Sequence, residues 1–305
     1  MSNVKKIIVD IKTGYQCNNH CKFCIQETKR LKGNDKTTKE IIKILEESSD
    51  SPRVIFTGGE VTLRSDIFEL IRYAKKCGYK KITIQSNGRM FSYVDFCQRM
   101  IDAGANQFAL SIHGSTSQIH DSLTCAKGSF EQTLKGIRNL KKLKQEVITN
   151  TVITKINSKD LINVAKMVAE IKVNTFQLAF LHINPIIQKD PSLIEELVPR
   201  YKDVKFYVEA ALQVGLDAKV RSGAEAFPFC VLDEKYHGCI IEKYLVTPVY
   251  IFENGQKIDF KKMKQDGAKI KGEKCKQCKF YGKCEGPWCE YSKIFDFEEF
   301  KPIKI

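Results

Sequence analysis

From residue 5 to about residue 182 the sequence alternates short β-rich apolar runs with amphipathic helical patterns, and this alternation constrains the fold more than any other feature. Strand patterns fall at residues 6–12, 53–56, 81–85, 107–112, 147–154 and 175–181, with helical patterns at 37–48, 66–77, 93–103, 129–143 and 159–171 between them. Gly78 and Gly104 stop two of those helices where a left-handed residue is wanted. Six βα units in succession make a parallel sheet, either doubly wound or curled into a barrel. In both, chemistry gathers at the C-terminal ends of the strands.

The unusual residues fall at those ends. Cys17, Cys21 and Cys24 follow the first strand, Gly58-Gly59-Glu60 the second and Ser86-Asn87-Gly88 the third, while Ser111 and His113 end the fourth. Twelve cysteines are many for a chain kept reduced, and their clustering speaks for metal chemistry rather than disulfides. The run Cys17-Asn-Asn-His-Cys21-Lys-Phe-Cys24 places three thiolates on one loop, enough to bind three irons of a cubane and leave the fourth open to a ligand. A structural zinc site is the competing reading. It needs a fourth donor, and His20, wedged between two ligands, is poorly placed to be one and is read as an exposed loop residue.

This loop, with the aromatic Phe23 directly before its last cysteine, resembles the signature of radical S-adenosylmethionine (SAM) enzymes. The resemblance implies a [4Fe–4S] cluster on Cys17, Cys21 and Cys24, with the amino and carboxylate groups of SAM on the open iron. An electron from the cluster then cleaves SAM to methionine and a 5′-deoxyadenosyl radical. Gly58-Gly59-Glu60 is similar to the family's GGE motif at the methionyl amino group, although Val61 stands where proline is usual. Gln85-Ser86-Asn87-Gly88 resembles the segment beside the ribose, and Ser111 the strand-four serine that contacts SAM. The SAM pocket implied is thus Phe23, Gly58, Gly59, Glu60, Ser86, Asn87 and Ser111. Taken singly, the Ser and Asn positions are equally good turn or cap residues. Asn150 and Val152 on the fifth strand are read as core. Because the likeness runs in order from residue 5 to about 182, it implies an α/β fold with a partial (β/α)6 TIM-like barrel.

The rhythm changes near residue 190, which divides the chain into a core, residues 1–190, and a second region, residues 191–305. Pro191 and Pro199 punctuate it, a helix pattern covers 204–214, and strand patterns at 245–252 and 256–260 flank Asn254-Gly255 as in a β-hairpin. Cys275, Cys278, Cys284 and Cys289 lie within fifteen residues, with Cys230 and Cys239 upstream. This pattern is similar to the auxiliary-cluster domains called SPASM when they hold two clusters and twitch when they hold one. Six cysteines cannot fully ligate two more cubanes, so the resemblance implies one second [4Fe–4S] cluster, on Cys230, Cys275, Cys278 and Cys284 with Cys289 as the alternate. A zinc knob competes, since Cys-x2-Cys suits it. Cys77 and Cys97 read as core.

The leading expectation for function is modification of a ribosomally made peptide by cross-linking or epimerisation, with a flavodoxin- or ferredoxin-type electron donor. A separate leader-binding domain is not expected before the first strand, so barrel, tail or a partner protein would hold the peptide. His113 and an unligated thiol, Cys289, Cys239 or Cys125, are the candidate catalytic groups. Alternatives are a small molecule, a nucleotide or an RNA base as substrate, or a non-catalytic iron–sulfur or zinc module. The net charge of +14 suits an acidic partner, but Lys135, Lys141, Lys142, Lys144 and the lysines of 261–276 are scattered without aromatics, so nucleic acid is not favoured. No stretch approaches the roughly 18 apolar residues of a membrane span, and Ile7-Ile8-Val9 is too short for a secretory signal, so the cytoplasm is expected.

Overall fold

In the computed structural model of the protein, residues 7–30, 35–244 and 247–304 are described. The parallel strands are β1 (Ile8–Lys12), β2 (Arg53–Thr57), β3 (Lys81–Ser86), β4 (Gln107–Ser111), β5 (Glu146–Ile153) and β6 (Thr175–Phe180), followed by β7 (Arg221–Glu225) and a hairpin of β8 (Val249–Glu253) and β9 (Gln256–Asp259). Lys6 and Leu245, where two of the expected strands begin, lie outside the described residues.

Alternation along the strands explains the layers. One set of side chains, including Val54, Phe56, Ile82, Ile84, Phe108 and Leu110, is fully buried. It meets the apolar faces of helices such as Ile67–Lys76, which buries Ile67, Leu70, Ile71 and Ala74. The opposite set faces the concave side of the sheet and is largely polar: Asp10, Lys12, Gln85, Ser111, Asn150, Gln177 and Glu225. A lumen lined this way is not a second core.

Two features depart from the expected six-unit core. The sheet runs β7-β6-β5-β4-β3-β2-β1-β8-β9, open at both edges, so a seventh parallel strand follows β6. Its sequence, Arg-Ser-Gly-Ala-Glu, lacks the apolar or β-branched run that marks a strand, and Gly223 leaves room for the Ile241 side chain against its backbone. The hairpin forms around Asn254 (φ 47°) and Gly255 (φ 73°), and β8 pairs parallel with β1. Both additions lie beyond residue 190 yet share the sheet of the core. The helix expected at 204–214 spans Tyr201–Asp217. Among the described residues, no helix is long and apolar enough to cross a membrane.

Candidate active site and two sets of cysteines

Beyond β1 the chain turns across the C-terminal edge of the sheet and is pinned to the loop after β2. The Thr13 amide donates to Thr57 O at 2.8 Å, Gly59 N to Gly14 O at 2.8 Å, and Glu60 N to Gln16 O at 2.7 Å. So close is this approach that a Cβ on Gly58 would stand 2.3 Å from Gly14 O, and one on Gly59 2.2 Å from Gln16 O. The glycine pair is therefore required by the neighbouring loop itself. On the far side, His20 N donates to Thr124 O at 2.8 Å and Lys22 N to Leu123 O at 3.0 Å, strapping the cysteine loop to helix Ser117–Thr124. Two arginines clamp its first turn: Arg30 donates to Cys17 O at 2.6 Å and Asn19 O at 2.9 Å, and Arg89 to Asn18 O and to Asn19 Oδ1 at 3.0 Å.

Cys17 Sγ accepts from Asn19 N at 3.4 Å and from Asn87 Nδ2 at 3.9 Å. Burial pushes the thiols of Cys17, Cys21 and Cys24 up, and for Cys21 the neighbouring Cys24 and Cys17 add to it. Three thiols within electrostatic reach of one another, disfavoured as bare thiolates, form a donor set that a cationic iron centre would relieve. The residues fit the group.

Glu60, fully enclosed, accepts from Thr62 N at 3.0 Å, Thr62 Oγ1 at 2.6 Å, Ser86 Oγ at 2.8 Å and Asn87 N at 2.7 Å. Burial raises its pKa, and those four donors oppose the rise. Its carboxylate thereby ties the β2 loop to Ser86 and Asn87 of the β3 loop, bringing three of the expected residues together. Ser111 ends β4 in register with Asn150 of β5. Phe23 is buried, its ring edge-on to His113 at 4.8 Å between centroids. His113 Nδ1 accepts from Val152 N at 3.2 Å, which leaves the ring proton on Nε2, and burial holds its pKa well below the usual histidine range. It is a neutral, enclosed imidazole.

The second set comes together from distant parts of the chain. Cys230, Cys275, Cys278 and Cys284 line one cavity, with Phe229 and Tyr281 among its walls. Short turns hold three of them: Cys275 N donates to Gly272 O at 2.9 Å, Cys278 N to Cys275 O at 2.9 Å, and Cys284 N to Phe280 O at 2.8 Å. Phe229 stacks on Phe280 at 4.4 Å and carries Cys230 to the group. Burial, then the charges of Cys284, Cys275 and Cys278, push the Cys230 thiol up to about 12. Burial also raises Cys284, opposed by the Phe229 and Gly286 amides. Cys289 is absent from the cavity lining and opens helix Cys289–Phe295 beside Glu290. Cys239 is buried 3.9 Å from Ser222 Oγ, Cys125 is exposed, and Cys97 donates to Phe91 O in the core. Among the described residues, no three Cys, His, Asp or Glu side chains are grouped for a single metal ion.

Sequence patterns missed the arginine clamp, because isolated arginines on loops carry no periodic signal. They also missed that the hairpin leans on the cysteine loop, with Tyr15 Oη donating to Asn254 Oδ1 at 2.6 Å and Lys29 Nζ 2.6 Å from Glu253.

Known proteins share both sequence and fold with this chain. It is 34% identical over 145 residues to an AdoMet-dependent heme synthase of Oleidesulfovibrio alaskensis, covering 46% of this chain and 37% of that protein. To a probable GTP 3',8-cyclase of Metallosphaera sedula it is 29% identical over 170 residues, covering 54% and 53%. The chain thus spans about half or less of the length of these relatives. In structure it is similar to anSMEcpe with bound AdoMet and Kp18Cys peptide (TM-score 0.69, 17% identity, 96% of this chain and 95% of that one). It is also similar to Streptococcus suis SuiB bound to precursor peptide SuiA (TM-score 0.65, 18% identity, 97% and 74%). The Radical SAM superfamily model matches residues 11–168, more than half of the 305 residues. With its three-cysteine loop pinned at the sheet edge, this chain belongs to the radical SAM superfamily of enzymes, whose cofactors are a [4Fe–4S] cluster and SAM.

Proposed function

We propose that this enzyme abstracts hydrogen from an unactivated C–H bond of a ribosomally made peptide, leading to a cross-link or an epimerised residue. One observation carries the choice of substrate. The heme synthase and GTP cyclase likenesses cover only 46% and 54% of the chain, whereas the two peptide-bound structures match 96% and 97% of it, including the cysteine-rich tail.

When bound, the first cluster and SAM supply a 5′-deoxyadenosyl radical, chemistry that belongs to the cofactors. Cys17, Cys21 and Cys24 would hold the cluster, and Phe23, Gly58, Gly59, Glu60, Ser86, Asn87 and Ser111 would surround SAM. Arg30 and Arg89 keep the cysteine loop in shape. Cys230, Cys275, Cys278 and Cys284 would hold a second [4Fe–4S] cluster, with residues 1–190 acting as the radical SAM core and 191–305 as the helix, hairpin and C-terminal iron–sulfur region. A flavodoxin- or ferredoxin-type donor in the cytoplasm would deliver the electron.

The test is anaerobic incubation of the cluster-loaded chain with SAM, dithionite and the peptide encoded beside its gene. Expected are 5′-deoxyadenosine and a peptide with the mass of a cross-link or with deuterium taken from heavy water. If 5′-deoxyadenosine accumulates and no peptide changes, this substrate class is wrong. A small-molecule substrate is the second reading, favoured by the 34% identity to the heme synthase, and product analysis with porphyrins and nucleotides tests it.

A further inference from the structure

Charged side chains that neither cofactor uses gather where β6 and β7 meet the tail. Glu225 ends β7 and accepts from Gln177 of β6. Lys269, with a side chain only 2% exposed, lies 2.7 Å from Glu242 Oε1 and 3.4 Å from Glu285 Oε2. Lys264, also buried, lies 2.6 Å from Glu285 Oε1. Trp288 forms a wall: Lys269 Nζ sits 4.8 Å from its ring centre, and His182 stacks on it at 4.2 Å. Glu285 and Trp288 flank Gly286-Pro287 directly after Cys284, while Asn150 and Gln177 are in register with Ser111. The group therefore lies at the β6–β7 side of the sheet, next in the chain to Cys284 of the second set.

Its hydrogen bonding is incomplete. Glu242 is 93% buried by side chain (7% exposed), and its Oε1 accepts from Ala226 N and Lys269. Its Oε2 has no partner among the described residues. The same holds for Asn150 Oδ1 and for Trp288 Nε1, on a side chain that is 6% exposed. Glu285 Oε2 faces Lys269 without a hydrogen bond. Three carboxyl groups, Glu225, Glu242 and Glu285, stand against the two ammonium groups of Lys264 and Lys269, and burial and the neighbouring Glu242 raise the pKa of Glu225. Leaving a buried carboxylate oxygen unsatisfied costs on the order of 1–3 kcal/mol, so such an arrangement is suited to a ligand that completes it.

The missing complement is a positively charged group rich in N–H donors, with a carbonyl nearby for the indole N–H. We propose that this cluster is the specificity pocket of the enzyme and takes the ammonium or guanidinium of a lysine or arginine side chain in the peptide substrate. The inference rests on the peptide reading and narrows it. Glu242 and Glu285 accept from the cation, Trp288 donates to the adjacent backbone carbonyl, and Lys264 and Lys269 hold the carboxylates in place.

Calorimetric titration of the cluster-loaded full chain with SAM tests this, using acetyl-Gly-Lys-Gly-amide and its norleucine and glutamate counterparts as probes. The lysine peptide should bind at least about tenfold tighter than the norleucine peptide, the size expected of one charge-assisted hydrogen-bond pair. That margin should shrink in Glu242→Gln and in Glu285→Gln. Equal binding of lysine and norleucine peptides, or a margin unchanged in both variants, overturns the pocket while leaving the peptide reading intact. Conversely, n-butylamine binding that depends on Glu242, without binding of any peptide, supports the cation site and overturns the peptide reading. Should Glu242→Gln fail to fold, the wild-type comparison and the more exposed Glu285→Gln still decide.

Discussion

The two sets of cysteines are built by opposite means. The first lies on eight consecutive residues, and the barrel holds them: backbone bonds to Thr124 and Leu123, the glycine pair beneath, and Arg30 and Arg89 across the top. The second draws Cys230 from one segment and Cys275, Cys278 and Cys284 from another, in turns with little regular structure. The first site is thus shaped by the fold around it, whereas the second has mainly its own ligands and the Phe229–Phe280 stack. Where the scaffold is rigid, cofactor loss removes activity; where it is not, cofactor loss also loosens the segment that carries the ligands.

This contrast is most sharply tested by replacing Cys17, Cys21 and Cys24 together with Ala. Iron should fall from roughly eight to four per chain and SAM cleavage should vanish, with the melting temperature nearly unchanged. A collapse in melting temperature would break the comparison. Cys284→Ala should instead loosen the tail, speeding proteolysis within residues 264–304 at least about tenfold, while cleavage within the barrel stays slow. Gly59→Ala, whose Cβ would meet Gln16 O at 2.2 Å, should cost about 2 kcal/mol in thermal unfolding and weaken SAM binding in titrations.

Proton linkage separates the sites more finely. The cluster-free protein keeps the Cys230 thiol protonated, with a pKa raised from 9.0 to about 12. Folding then favours the protonated form, a gain fully present below pH 9.0 and lost as the pH climbs from there toward 12. Cluster-free protein should lose up to about 1.4 kcal/mol per pH unit across that window, and cluster-loaded protein should not, which melting curves of the two forms compare directly. The smallest effect belongs to Arg89→Gln, which should cost about 1 kcal/mol and show as faster release of iron to a chelator from the first site only.

Legibility followed the same division. The cysteine loop, the glycine pair and the Ser86-Asn87 segment were readable because each is a short run of residues on one loop, and strand periodicity put those loops on one edge. The hairpin was readable from Asn254-Gly255, since few pairs besides Asn-Gly adopt two successive left-handed conformations. Strand β7 was not, because its Arg-Ser-Gly-Ala-Glu sequence becomes a strand only through pairing with β6. Nor was the choice between Cys230 and Cys289 decided by spacing; the cavity includes the first and leaves out the second.

By itself, then, the sequence determined the βα order and, through the cysteine loop, the family, because each is carried by short runs of residues with their own pattern. Only the tertiary structure decided which distant cysteine lines the tail cavity, that the hairpin pairs with β1, and that Lys264, Lys269, Glu225, Glu242 and Glu285 come together beside β7. Those are pairings across tens of residues, set by how the sheet curls and where the tail lands on it, and no local pattern encodes them.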